Sequence, residues 1–207
     1  MILLQSSLLT LAASQAPTVG DGTALVLGGT PQFTPNGYRA DLASEFLGYR
    51  QPGHLSPYRG TMEFGYRPEY VSTINRKYSI AGTGGWQAPG SIHLGKHNNS
   101  NLNKLFLIAF AGTSGLRCEH TVDAGAFAWT AYQWLTFRII WDFTVPGGAP
   151  NLALWLNGQI LPLGGQVSTG MWVVPAPDPN QRIFLGGRGI GVSVPPFGTY
   201  RDLVVTD

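Results

Sequence analysis

Apolar and polar side chains alternate in short runs along this chain, and the alternation predicts strands rather than helices. In Thr61–Arg67, Met62, Phe64 and Tyr66 share one face while Thr61, Glu63 and Arg67 share the other. That is the period of two imposed on a half-buried strand. Trp134–Asp142 alternates likewise, with Leu135, Phe137, Ile139 and Trp141 opposite Trp134, Thr136, Arg138 and Asp142. Leu152, Leu154 and Leu156 repeat the pattern ahead of Asn157-Gly158, a pair whose tolerance of positive φ favours a tight hairpin. Leu25-Val26-Leu27, Arg182–Leu185 and Leu203-Val204-Val205 supply shorter strands. Strands at this spacing, with turns between them, predict a sandwich or barrel. Leu105–Phe110 differs, being apolar on both faces. An antiparallel layer usually wets one face, so this strand requires an outer cover.

Helical signals are sparse, because Gly or Pro interrupts nearly every ten-residue window. A short helical turn is expected over Asp41–Leu47. Met1–Ala16 is apolar and ends in small residues, as a secretory signal does. It lacks a positive stretch, however, and Gln5-Ser6-Ser7 interrupts its apolar run. It is also too short and polar to span a bilayer. Residues 1–22 therefore read as an ordered N-terminal arm on a domain covering 23–207. Leu3, Leu4, Leu8, Leu9 and Leu11 are its expected assembly interface, too many leucines to leave in water and so buried against a neighbouring molecule.

Composition narrows the class. The length of 207 residues suits one large β-domain, and 28 Gly with 15 Pro supply its turns. Charged residues make up 12%, about half the usual ~25%, which suits a surface partly covered by something else. The single cysteine, Cys118, excludes an intramolecular disulfide. A net charge of +2 with scattered Lys and Arg argues against a nucleic-acid partner.

Four motifs, in order, resemble the laminin-G-like branch of the concanavalin-A-like lectin and glucanase superfamily. They are Gly60-Thr61-Met62-Glu63-Phe64-Gly65-Tyr66-Arg67-Pro68, then Trp134 leading to Trp141-Asp142, then Leu152–Gly158, then Phe184-Leu185-Gly186-Gly187 with Gly198–Val205. The resemblance covers 60–207 and extends toward residue 23. It implies an all-β, two-sheet antiparallel jelly-roll sandwich. No single function comes with it, because the fold serves lectins, glycosidases, adhesion modules and virion proteins.

Catalytic chemistry is hard to assemble. Glycosidases of this superfamily cluster carboxylates on one strand, whereas Glu45, Glu63, Glu69 and Glu119 form no such cluster. The chain is accordingly expected not to be an enzyme. His93 and His97 would bind one metal only on a helix; the surrounding Ile92, Leu94 and Gly95 point to a strand running into a loop, which makes them surface or loop histidines. Laminin-G-like domains often hold calcium through acidic loops, which makes Asp123, Asp142, Asp178 and Asp202 weak calcium candidates without a dense ligand run. No other cofactor is implied.

Glycan binding would use exposed aromatics beside amides, and Trp86, Asn98, Asn99 and Asn101 fit that chemistry. Trp129, Trp134, Trp141 and Trp155 read instead as packing groups. By elimination the expected role is a structural or attachment protein of a virus particle, such as a phage capsid decoration or tail component. Its partners would be other copies of itself, other virion proteins and host surface glycans, with no membrane involved. The alternative is an extracellular carbohydrate-binding or adhesion module.

Overall fold

The computed structural model describes residues 1–17, 25–30, 32–50, 58–74, 76–84, 87–97, 104–110, 117–144, 150–168, 182–187 and 196–207. Two antiparallel sheets of eight strands each face one another. The first sheet runs β13 (Gln159–Ile160), β12 (Asn151–Leu156), β11 (Leu135–Asp142), β6 (Arg59–Pro68), β16 (Gly198–Thr206), β4 (Gly37–Ala40) and β3 (Gln32–Thr34). Strand β1 (Ile2–Ser6) joins this sheet by pairing with the far half of β16. The second sheet runs β14 (Gly164–Ser168), β10 (Arg117–Val122), β9 (Lys104–Phe110), β8 (Ile92–His97), β7 (Tyr78–Thr83), β15 (Arg182–Gly186), β5 (Phe46–Arg50) and β2 (Leu25–Gly28). Of the sandwich or barrel that the alternation predicts, the chain forms the two-sheet sandwich.

Between the sheets, each strand contributes its apolar face. Leu135, Phe137, Ile139 and Trp141 are all buried, together with Met62, Phe64 and Tyr66 from the adjoining β6. The register sets Phe137 opposite Phe64 and Ile139 opposite Met62. Asn157 and Gly158 both take positive φ in the β12–β13 turn, as the sequence predicts. Several core tyrosines close hydrogen bonds across the interior. Tyr66 Oη donates to the Pro196 carbonyl at 2.6 Å, and Tyr200 Oη donates to the Ile80 carbonyl at 2.9 Å. Burial pushes both hydroxyls well above the ordinary phenol range, because a phenolate would lose its water.

Strand β9 is apolar on both faces for a visible reason. Leu105, Leu107 and Ala109 enter the main core, while Phe106, Ile108 and Phe110 form a second cluster on the other side. The sandwich therefore carries a buried outer layer over part of its second sheet.

Three expectations need correction. The first concerns the arm, because residues 2–6 are a strand of the sandwich. Leu4 and Leu8 are buried in the chain's own core and Leu3 is half-buried; only Leu9 and Leu11 are exposed. Main-chain pairing with β16 satisfies the backbone of the arm within the molecule. A helix of one turn, α1 (Leu11–Gln15), follows, capped by the Thr10 side chain. The second concerns Asp41–Leu47, where a turn closed by the Glu45 N–H on the Leu42 carbonyl gives way to β5 at Phe46. The Glu45 carboxylate is buried and accepts the N–H groups of Asp41 and Leu42, so the turn is held by its own side chain. The third concerns His93, which is not a surface residue. It lies fully buried on β8 with ring centroids 5.8 Å from Phe110 and 5.6 Å from Phe184.

Candidate functional site

Alternation sends every second residue of β11, β12, β6 and β16 to the outer face of the first sheet. Register assembles these residues into rows. One row reads Trp155, Arg138, Glu63 and Val204; the next carries Thr136, Gly65 and Arg201. Arg138 Nε donates to Glu63 Oε2 at 2.6 Å. Both side chains are partly exposed, so the pair contributes about 0–1 kcal/mol. Its larger consequence is placement. The ion pair forms a polar floor shared by two adjoining hollows, one of about 360 Å³ toward Thr61 and Val204 and one of about 130 Å³ toward Trp155 and Gly158.

Trp155 walls the smaller hollow, and its indole Nε1–H is buried without a hydrogen-bond partner. An unmet buried donor costs about 1–3 kcal/mol. The exposed Ile160 lies opposite Trp155 across the hairpin. An apolar ledge thus borders the polar floor.

An aromatic and cationic stack stands at the other end of the face. The Arg201 guanidinium lies 3.9 Å from the Trp134 ring centroid, and Arg67 lies 5.6 Å from the same ring and 6.0 Å from Tyr132. Such contacts contribute about 0.5–2 kcal/mol, more where water is excluded. Gly65 makes room for the first of them: a Cβ there would sit 2.8 Å from Arg201 Cγ. Tyr132 is 61% exposed. It takes positive φ and donates its N–H to the Pro68 carbonyl at 2.7 Å, which fixes the ring's base beside β6.

The residues expected from sequence to carry function fall elsewhere. Trp86, Asn98, Asn99, Asn101 and Asp178 lie outside the described residues. Asp123, Asp142 and Asp202 do not converge, and among the described residues no three metal-ligating side chains form a group. Asp123 pairs with Lys104 at 2.7 Å and Asp202 with Arg201 at 3.1 Å. Asp142 accepts the N–H and hydroxyl of Thr144, which hold its carboxyl below the usual carboxylate range. Trp129 and Trp141 do pack in the core, but Trp134 and Trp155 are on the outer face and only half-buried. Their alternation with Leu135, Leu154 and Leu156 is the signal that places them there. Among the described residues no helix is long and apolar enough to cross a membrane.

No protein-family model and no curated protein sequence matches this chain. Solved structures do. The binding domain of botulinum neurotoxin serotype D superposes with a TM-score of 0.58 at 12% identity, over 99% of this chain and 47% of that one. A botulinum neurotoxin type C structure, described by the dependence of cell entry on two ganglioside molecules, gives a TM-score of 0.62 at 10% identity, covering 99% and 47%. The binding domain of botulinum neurotoxin DC in complex with SialylT gives 0.55 at 13% identity, covering 88% and 42%. These likenesses establish a shared β-rich fold. The chain spans just under half the length of the proteins it matches, so the ganglioside and SialylT contacts belong to those larger domains.

Proposed function

We propose that this chain is a non-catalytic carbohydrate-binding module that holds a saccharide on the outer face of its first sheet. The observation that carries the reading is the buried, unpartnered Trp155 N–H beside the Arg138–Glu63 floor. A saccharide offers hydroxyl acceptors for that donor and apolar C–H faces for the Trp155 and Tyr132 rings, the combination that aromatic residues with a polar handle suit. The ligands named for structures of similar fold, gangliosides and SialylT, support the same class. The ordered motifs of the first sheet also support placement among the laminin-G-like sandwiches. No turnover is expected: hydrolysis needs two carboxylates flanking the bond, and Glu63 is committed to Arg138. A module of this kind works at an external surface. The virion reading loses part of its basis, because Leu4 and Leu8 are buried within the chain and do not offer a docking surface.

The test is an NMR titration of the full chain with a panel of oligosaccharides. Shifts are expected at Thr136, Arg138 and Gly158, and Trp155→Ala should weaken binding about tenfold while the thermal midpoint holds. Saccharide shifts confined to other surfaces, or no shifts at millimolar ligand, would sink the reading.

A further inference from the structure

Arginines Arg39, Arg67, Arg138 and Arg201 lie along the outer face of the first sheet beside the candidate site, and three of these four have carboxylate partners. Arg138 pairs with Glu63, Arg201 with Asp202, and Arg39 with both Asp41 and Glu69. Arg67 is the fourth. Among the described residues its guanidinium has no ion pair, and its Nε is buried with no hydrogen-bond partner. Its neighbours are the Trp134 and Tyr132 rings, 5.6 and 6.0 Å away. Ring contacts engage the π-faces of a guanidinium and leave its in-plane N–H fork unused. A fork beside two aromatic rings, with its local carboxylates already committed, suits a planar anion.

We infer that the saccharide held on this face is acidic, and that Arg67 receives its anionic group, a sugar carboxylate or a sulfate ester. The inference rests on the saccharide reading and narrows it. Arg67 and Glu63 are four residues apart on β6, which places them roughly 13 Å apart on one face. A single ring does not cover that distance, so the ligand is a short oligosaccharide with the neutral part near Trp155 and the acidic group at Arg67. Tyr132, exposed at the rim, packs on the acidic ring.

Calorimetric titration of the full chain with lactose, sialyllactose and a lactose sulfate ester tests this. Either acidic sugar is expected to bind about tenfold more tightly than lactose, with the advantage shrinking as salt rises. Arg67→Gln should bring the acidic-to-neutral ratio near unity. Arg67→Lys, which keeps the charge and loses the planar fork, should give an intermediate ratio and guards against a folding artefact. Trp155→Ala should weaken all three sugars together. Equal binding of lactose and both acidic sugars, still lost in Trp155→Ala, would overturn the acidic assignment and leave the saccharide reading standing. Binding of none of the three would remove both.

Discussion

Phe137 and Thr136 are adjacent in sequence and opposite in circumstance. Phe137 is fully buried and stacks on Phe64 with centroids 5.9 Å apart, whereas Thr136 is exposed on the outer face. Truncation of a packed phenylalanine removes contacts and leaves a cavity, so Phe137→Ala should cost about 3–5 kcal/mol. Thr136→Ala should stay within about 0.5 kcal/mol. Denaturant unfolding of the two variants checks the pair, and a more damaging threonine would mean the register of β11 is wrong. Gly65 makes a second residue-scale prediction. Adding a methyl there forces the Arg201 stem away from β6, since Cγ is only 2.8 Å from the new atom. Gly65→Ala should therefore unstack Arg201 from Trp134, read as a change in tryptophan fluorescence with little loss of stability.

At the scale of elements, β1 extends the first sheet along β16 and β9 is buried on both of its faces. Strand β1 completes the sheet beside the second half of β16, where a register shift between Arg201 and Val204 lets β16 pass from β4 to β1. Leu4 is an ordinary core residue as a result. Leu4→Ala should cost about 2–5 kcal/mol, and removing residues 1–16 should destabilise the sandwich itself. Thermal unfolding of the truncated chain checks this; an unchanged midpoint would restore the reading of an arm buried against a neighbouring molecule. In β9 the second apolar face is buried too, so Ile108→Ala should cost nearly as much as Leu107→Ala. On a wetted face it would cost little.

For the molecule as a whole, the tyrosines at the heart of the sandwich set its response to alkali. Tyr66, Tyr70 and Tyr200 are buried, and burial raises all three hydroxyls above their ordinary value of 10.0. The folded protein keeps these protons while the unfolded chain releases them above about pH 10. Their contribution is fully present below that pH and is lost as pH rises further, by up to roughly 4 kcal/mol per pH unit for three such groups. Lys96 opposes this weakly. Burial lowers its ammonium from the usual 10.5, so its penalty is relieved as pH approaches that value. The expected outcome is a sharp loss of thermal stability above pH 10, blunted in Tyr70→Phe.

Sequence alone determined the class of this fold, because period-two alternation is a local property of the chain. Met62, Phe64, Leu135, Phe137, Ile139 and Trp141 declared their face without any partner being known, and Asn157-Gly158 declared its turn. The same alternation sets Trp134 and Trp155 on the outer face, and the expectation that both are packing groups, drawn from tryptophan's hydrophobicity, failed there. Tertiary structure decided everything that depends on which strands become neighbours. The register of β11 on β6 sets Arg138 against Glu63, and that of β16 on β6 sets Arg201 against Gly65. No spacing within the chain encodes those pairs, since 75 residues separate the first. The arm follows the same logic. Its leucines announce burial, but whether the covering surface belongs to this molecule or another depends on the free edge of β16, which exists only once the sheet has formed.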